Sequence, residues 1–187
     1  APVIEGAIRA VRQGYVSSEE LILVGREDAI QELLDERAKD IGFEIAHYPE
    51  VVEMHEDALG ALRGKKQSSI RGCIELVRDG RADALVTAGH TGAAVAGATL
   101  RLRMLKGIRR AGLAVTFNGP QGPVTIIDVG ANLTCKPINL FQYGLMANYF
   151  AKDTLGIEVP RIALVNIGAE ERKGDKLVKE TLDMFRR

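Results

Sequence analysis

Three glycine-bearing turns and one run of cations are where this chain could do chemistry. Thr87-Ala88-Gly89-His90-Thr91-Gly92-Ala93 follows a short apolar run and opens a stretch of small residues through Ala94, Ala96 and Gly97. Asp128-Val129-Gly130-Ala131-Asn132 follows Val124 to Ile127, and the segment from Asn166-Ile167-Gly168 to Glu171, Lys173 and Gly174 follows Ile162 to Val165. Glycine lets backbone N–H groups approach an anion, and a helix start adds unpaired donors and partial positive charge. Converging, the turns would form an oxyanion or phosphate site beyond the carboxyl ends of the strands; taken singly, each also reads as the ordinary end of a strand. Lys65-Lys66-Gln67-Ser68-Ser69 places two ammonium groups and two hydroxyls before a helical stripe. Ser68 or Ser69 caps that helix, and the cluster reads either as a cap with solvated lysines or as an anion cradle.

Other chemistries lack their residues. Gly89 and Gly92 do not make the dinucleotide fingerprint, and Gly168 to Gly174 lacks the phosphate-loop spacing and its Lys-Ser/Thr pair. His47, His55 and His90 share no ligand spacing and neither cysteine has a near partner, so no metal and no cofactor is expected. No nucleophile elbow occurs. Cys73 sits on an apolar stripe and reads as core, whereas Cys135, with Lys136 and Pro137 after it at a helix start, has a setting that can activate a thiol. Arg101, Arg103, Lys106, Arg109 and Arg110 form either a solvated face or a dock for an acidic partner or an anionic lipid surface.

These residues need a scaffold, and two alternating periodicities supply one. Helical stripes run through Val3, Ile4, Ala7, Ile8 and Val11, through Ile30, Leu33, Leu34 and Ala38, and through Ile70, Cys73, Ile74 and Val77. Between and after them lie apolar runs suited to strands: Leu21 to Val24, Phe43 to Ala46, Ala84 to Val86, Leu113 to Phe117, Val124 to Ile127 and Ile162 to Val165. The pattern predicts an α/β fold with a mostly parallel sheet covered on both sides. Asn118-Gly119-Pro120-Gln121-Gly122-Pro123 predicts a local antiparallel pair, and Leu177 to Arg187 a charged helix.

Composition narrows the class further. The 187 residues carry 25 Lys and Arg against 25 Asp and Glu, which removes the basic footprint that nucleic-acid binding needs. No apolar run reaches membrane-spanning length and no signal-peptide pattern opens the chain, so a cytoplasmic protein with reduced thiols is expected. No linker or repeat marks a boundary, and residues 1–187 read as one α/β domain, an incomplete portion of a longer chain.

Together, the motifs resemble the bacterial acyl-ACP:phosphate acyltransferase family of phospholipid synthesis. The matching stretches are Ala1-Pro2 with Glu5-Gly6-Ala7, Glu50-Val51-Val52-Glu53-Met54, Lys65 to Ser69, Ala88 to Ala93, Asp128 to Asn132, Cys135-Lys136-Pro137, and Asn166-Ile167-Gly168 leading to Glu171, Lys173 and Gly174. The resemblance implies a three-layer α/β/α fold like isopropylmalate and isocitrate dehydrogenases, usually a homodimer. It implies transfer of a fatty acyl group from the thioester of acyl carrier protein to inorganic phosphate, giving acyl phosphate. The alternatives are a short-chain enzyme using acyl-CoA, and a non-catalytic module that docks on acyl carrier protein or the membrane periphery through the Arg101 to Arg110 cations. Lys173, His90 and Asn132 are then the catalytic candidates. Lys65, Lys66, Ser68, Ser69, Gly89, Thr91, Gly92, Gly130, Asn166 and Gly168 are the substrate-binding ones, and Asp128 braces its loop. Where the family usually has Asn, this sequence has His90. The family also opens with a strand and an Asp-Ala-Met-Gly-Gly-Asp loop ahead of the position of Ala1, and continues beyond that of Arg187.

Overall fold

The first helical stripe forms α1 (Pro2–Arg12), with Pro2 at the first helical position, where a missing N–H removes no internal bond. Ile8 of α1 is buried with Leu23, Ile30, Leu34 and Ala38, and Ile4, Ala7, Ile41, Phe43 and Ile45 pack onto that cluster. Its scaffold is a β–α–β unit: β1 (Ile22–Gly25), α2 (Glu27–Arg37) and β2 (Glu44–His47). The two strands pair in parallel, Ile22 beside Glu44 through Gly25 beside His47. Emptying the centre of the cluster by Leu34→Ala should cost about 2–5 kcal/mol, the usual range for a buried leucine. Structure is described for residues 2–168 and 173–186 of this computed structural model.

Three helices follow, α3 (Ala58–Gly64), α4 (Ser69–Arg78) and α5 (Thr91–Arg101). Val52, Ala61, Ile70, Ile74 and Ala93 form their buried core, with Ala58, Leu62, Leu85 and Ala94 around it. The small-residue character of α5 is a packing requirement, because a Cβ on Gly97 would lie 2.6 Å from Ile74 Cδ1. Asp57 caps α3 by accepting from the Gly60 N–H at 2.6 Å.

The chain divides into two compact units, Ala1–Arg103 and Met104–Arg187, at a point that composition does not mark. The second unit holds the antiparallel hairpin β3 (Ala114–Gly119) and β4 (Gly122–Ile127), closed by Pro120-Gln121 with Gly119 paired to Gly122. Gly122 has φ +114, which favours glycine at the turn. It also holds α6 (Pro137–Asp153) and α7 (Lys176–Phe185). The rings of Phe141 and Phe185 join the two helices, with centroids 4.9 Å apart, and Thr181 is fully buried with its hydroxyl donating to the Leu177 carbonyl.

The striped helices α1, α2 and α4, the parallel pair and the hairpin follow the predicted pattern, and the fold is α/β. No predicted counterpart exists for α3, and the described strands pair as two separate two-stranded sheets, one parallel and one antiparallel. Two predicted strands do not form: Ala84–Val86 and Ile162–Val165 carry no ladder among the described residues. A strand is stable only where its N–H and C=O groups find a neighbouring strand. Val86 and Val165 are instead 85% and 86% exposed.

Candidate functional site

In the first unit, the glycine turn before α5 is built around His90. His90 stands at the N-cap position, and its Nδ1 accepts from the Ala93 N–H at 3.2 Å. Nδ1 therefore carries no proton in this arrangement, and Nε2–H donates to the Glu56 carbonyl at 3.0 Å. The Thr87 hydroxyl accepts from the Gly89 N–H at 3.1 Å. These bonds leave the N–H groups of Thr91 and Gly92, both exposed, with no acceptor among the described residues.

One further predicted residue, Lys65, reaches this turn through Glu56. Lys65 Nζ donates to the Glu56 carboxylate at 2.5 Å and to the Val51 carbonyl at 2.6 Å. Glu56 thus joins Lys65, through its carboxylate, to His90, through its carbonyl. The Lys65 hydrogen bond, followed by that from the Glu53 N–H, holds the Glu56 carboxyl below the usual carboxylate range. At the start of α4, a Cβ on Gly89 would lie 3.2 Å from Ile70 Cδ1, so the turn rests on the first turn of that helix. The first turns of α4 and α5 are adjacent, and each carries the partial positive charge of a helix start.

The hydroxyls of α4 depart from the predicted cap. Ser68 occupies the N-cap position but makes no side-chain capping bond. Its side chain is fully buried and its Oγ has no hydrogen-bond partner among the described residues. Ser69 is half-buried, and its N–H donates to the Glu50 carbonyl at 3.1 Å. Lys66 is exposed and lines a hollow with α3 and α5.

The second unit carries the other candidates, and its glycine turn is arranged in the opposite sense. Asp128 accepts from the N–H groups of Leu113 (2.8 Å), Ala131 (3.0 Å) and Asn132 (2.8 Å), and from Asn132 Nδ2 (3.0 Å). Burial pushes this carboxyl up, but those four bonds outweigh it and hold it below the usual aspartate range. Asn132 Nδ2 also reaches the Ala111 carbonyl (2.8 Å) and the Tyr143 hydroxyl (2.9 Å), so its donors are committed to the fold. Tyr143 is buried, and its phenol is pushed up to about 12 by that burial and by the neighbouring Cys135 and Asp128. Gly130, at φ +128, is exposed at the tip of the turn.

In the third turn, Asn166 Nδ2 donates to the Lys173 carbonyl at 2.9 Å, and its Oδ1 accepts from the Ile167 N–H. Asn166 is thereby tied to Lys173, which is exposed. Glu171 lies outside the described residues, as do Ala1, Ala169, Glu170, Arg172 and Arg187. The cation run falls across the unit boundary: Arg101 and Arg103 close the first unit, while Lys106, Arg109 and Arg110 open the second, where Arg110 donates to the Thr134 carbonyl at 2.8 Å. Cys73 is half-buried on α4, and burial pushes its thiol up, away from nucleophilic thiolate. Among the described residues no cluster of three metal-ligating side chains occurs. No helix among them is long and apolar enough to cross a membrane.

Comparison with known proteins matches the whole of residues 1–187 to the family described as fatty acid synthesis protein. The chain belongs to that family. Similar proteins include the phosphate acyltransferase of Nitratidesulfovibrio vulgaris (strain DP4), 43% identical over 98% of this chain and 53% of that protein. Those of Desulforudis audaxviator (40% identical, 99% of this chain, 53% of that protein) and Gloeothece citriformis (42%, 98% and 52%) are likewise similar. The chain spans about half the length of these relatives.

Two contacts within the candidate sites of this fatty acid synthesis family member have no counterpart in the sequence reading. Glu56, which links Lys65 to His90, lies among Glu53, His55 and Asp57 with no spacing that singles it out. Tyr143, whose hydroxyl accepts from the Asn132 amide, carries no motif of its own. A polar cap residue directly before Thr-Gly-Ala was the available signal for His90; neither Glu56 nor Tyr143 had one.

Proposed function

We propose that this chain carries phosphate-binding and acyl-transfer machinery of a phosphate acyltransferase that moves a fatty acyl group from the thioester of acyl carrier protein to inorganic phosphate. The single observation that carries this reading is the open pair of N–H donors on Thr91 and Gly92 beside a His90–Glu56–Lys65 brace. Such donors suit the oxygen of a thioester carbonyl as it gains negative charge.

A phosphate oxygen attacks the carbonyl carbon, the carbon–sulfur bond breaks, and the phosphate proton passes to the departing thiolate. The products are acyl phosphate and free thiol. No enzyme nucleophile is needed, in keeping with the missing elbow motif and with the half-buried Cys73, whose thiol burial pushes up. His90 acts here as a positioning residue, since both ring nitrogens hold the turn, while Gly89 and Gly92 let the backbone come close. In the first unit Lys66 and Ser69 are the proposed donors to phosphate, and Lys173 is, by itself, the proposed cation of the second unit. Lys65 acts through Glu56, Ser68 fixes the start of α4, and Asn132, Gly130, Asn166 and Gly168 shape their turns. The finer architecture, three α/β/α layers like the isopropylmalate and isocitrate dehydrogenases, belongs to the same reading, as do a homodimer, a cytoplasmic setting reaching the membrane periphery, and docking of acyl carrier protein on Arg101, Arg103, Lys106, Arg109 and Arg110.

The test is release of carrier-protein thiol from an acyl thioester by the full-length protein, with and without phosphate. Thiol release that depends on phosphate and yields acyl phosphate is expected. Release indifferent to phosphate would mean hydrolysis, and faster turnover of a short acyl-CoA than of acyl carrier protein would replace the donor.

A further inference from the structure

One bond of the His90 turn can be removed by a single proton. Nδ1 of His90 accepts from the Ala93 N–H at 3.2 Å only while it is unprotonated, because Nε2 already holds a proton and donates it to the Glu56 carbonyl at 3.0 Å. A second proton makes Nδ1 a donor facing a donor. Ala93 is fully buried, so water does not replace the lost acceptor while the turn keeps its shape, and a buried donor left unmatched is costly. The bond from residue 93 back to residue 90 also closes the chain over Thr91 and Gly92, the two residues whose N–H groups are open. The ring lies against that backbone: a Cβ on Gly92 would come within 3.1 Å of His90 Cε1 and 3.3 Å of Ala58 Cβ. Movement of the ring is therefore felt at the open donors.

Charge acts in the same direction. A helix start carries partial positive charge, and the first turn of α5 holds no acid to offset a positive ring. In the loop before α3, Glu56 turns its carbonyl to the ring while its carboxylate is held by Lys65 Nζ and the Glu53 N–H. Asp57 accepts from the Gly60 N–H, and His55 is the second imidazole of that loop. The other charges on the elements packed here are Arg63 on α3, Lys66 before α4, the Arg71–Glu75 pair on α4 and Arg101 at the far end of α5.

We infer that His90 makes the start of α5 a proton-gated donor pair: a neutral ring closes the cap and holds the Thr91 and Gly92 N–H groups for the thioester carbonyl oxygen, and a protonated ring releases them. The effect on turnover rests on the acyl-transfer reading above; the effect on the turn rests on its geometry alone. Histidine changes charge between about pH 8 and pH 5, and the cap is closed at the upper end of that span and lost as pH falls through it.

Amide exchange at Ala93 of the full-length protein, compared between wild type and H90N at each pH from about 8 to about 5.5, is the test. The comparison cancels the pH dependence of intrinsic exchange, and asparagine offers a cap oxygen that does not titrate. The wild-type rate relative to H90N should rise by about fivefold or more as pH falls, the size of a lost cap. The kcat for phosphate-dependent thiol release in wild type should fall along the same curve, and H90N should lack this step whatever its rate at the upper end. H55N should keep it. The imidazole ¹⁵N resonances of wild type need no variant: the ring should pass from the Nε2–H form to the doubly protonated form in step with Ala93 exchange. A flat exchange ratio, the same step in H90N, its loss in H55N, or a ring that stays neutral while Ala93 opens would each overturn the gate. Phosphate-dependent turnover with a flat ratio would overturn the gate and spare the reaction. The exchange step in a protein whose thiol release ignores phosphate would uphold the gate at the turn and overturn the reaction assigned to it.

Discussion

The two described glycine turns use the same backbone chemistry to opposite ends. In the Asp128 turn an internal carboxylate gathers the N–H groups of Leu113, Ala131 and Asn132. An anion already occupies that turn, and it belongs to the protein. In the His90 turn the capping side chain is a neutral imidazole that takes only the Ala93 N–H and leaves those of Thr91 and Gly92 open. A helix start with two free donors and no resident carboxylate can receive an external anion. Similar glycine spacing therefore yields a structural brace in one unit and a candidate binding site in the other, and the residue that captures the donors decides which.

Removing the resident anion should have the largest effect. Asp128→Ala strips the acceptor from three N–H groups and the Asn132 amide, with an expected loss of about 3 kcal/mol or more. Hydrogen exchange at Leu113, Ala131 and Asn132 is the readout, and unchanged protection there would erase the contrast between the turns. Next is Lys173→Ala, expected to lower phosphate-dependent turnover on the order of 10²-fold with folding intact. Wild-type turnover would remove Lys173 from the reaction.

The sequence exposed the parts of this contrast that are local. Stripes such as Ile4-Ala7-Ile8 and Ile70-Ile74 place α1 and α4 because one helical face must be buried. Asn118 to Pro123 marks the hairpin because its turn chemistry is self-contained. Ala84–Val86 and Ile162–Val165 were misread because an apolar run states a need for cover without naming the neighbour that provides it. The same limit applies to the site. His90 and Asp128 are recognisable as turn residues, but a bond from residue 90 to residue 56, or from 132 to 143, has no local periodicity to betray it.

A smaller effect sharpens the comparison at His90. Replacing the cap with alanine should cost about 1 kcal/mol and free the Ala93 N–H, whereas asparagine restores a short cap acceptor. H90A is expected to lose exchange protection at Ala93 and about tenfold in turnover, and H90N to recover both. A merely structural cap would recover protection without changing the rate in either variant. Equal rates in wild type, H90A and H90N would therefore leave His90 outside the chemistry.

The smallest effect at working pH should be the titration of Asp128, and its sign is fixed by the four hydrogen bonds on the carboxylate. A depressed folded-state pKa means that the unfolded chain binds the proton more readily, so the stabilisation is present above the unfolded aspartate value, about 3.9. It is lost as pH falls through the lower folded value. Exchange at Leu113 and Asn132 should be insensitive to this group above about pH 5 and should accelerate below pH 4, with Asp128→Asn removing the acid dependence. At the His90 turn the acceptor of the Ala93 N–H is an imidazole, and the neighbouring Glu56 reaches it only through its backbone carbonyl, so Asp128→Asn should leave exchange at Ala93 unchanged. If Ala93 and Asn132 lost protection together along one acid curve that Asp128→Asn did not change, the two turns would share a single global transition and their difference in anion occupancy would have no thermodynamic counterpart.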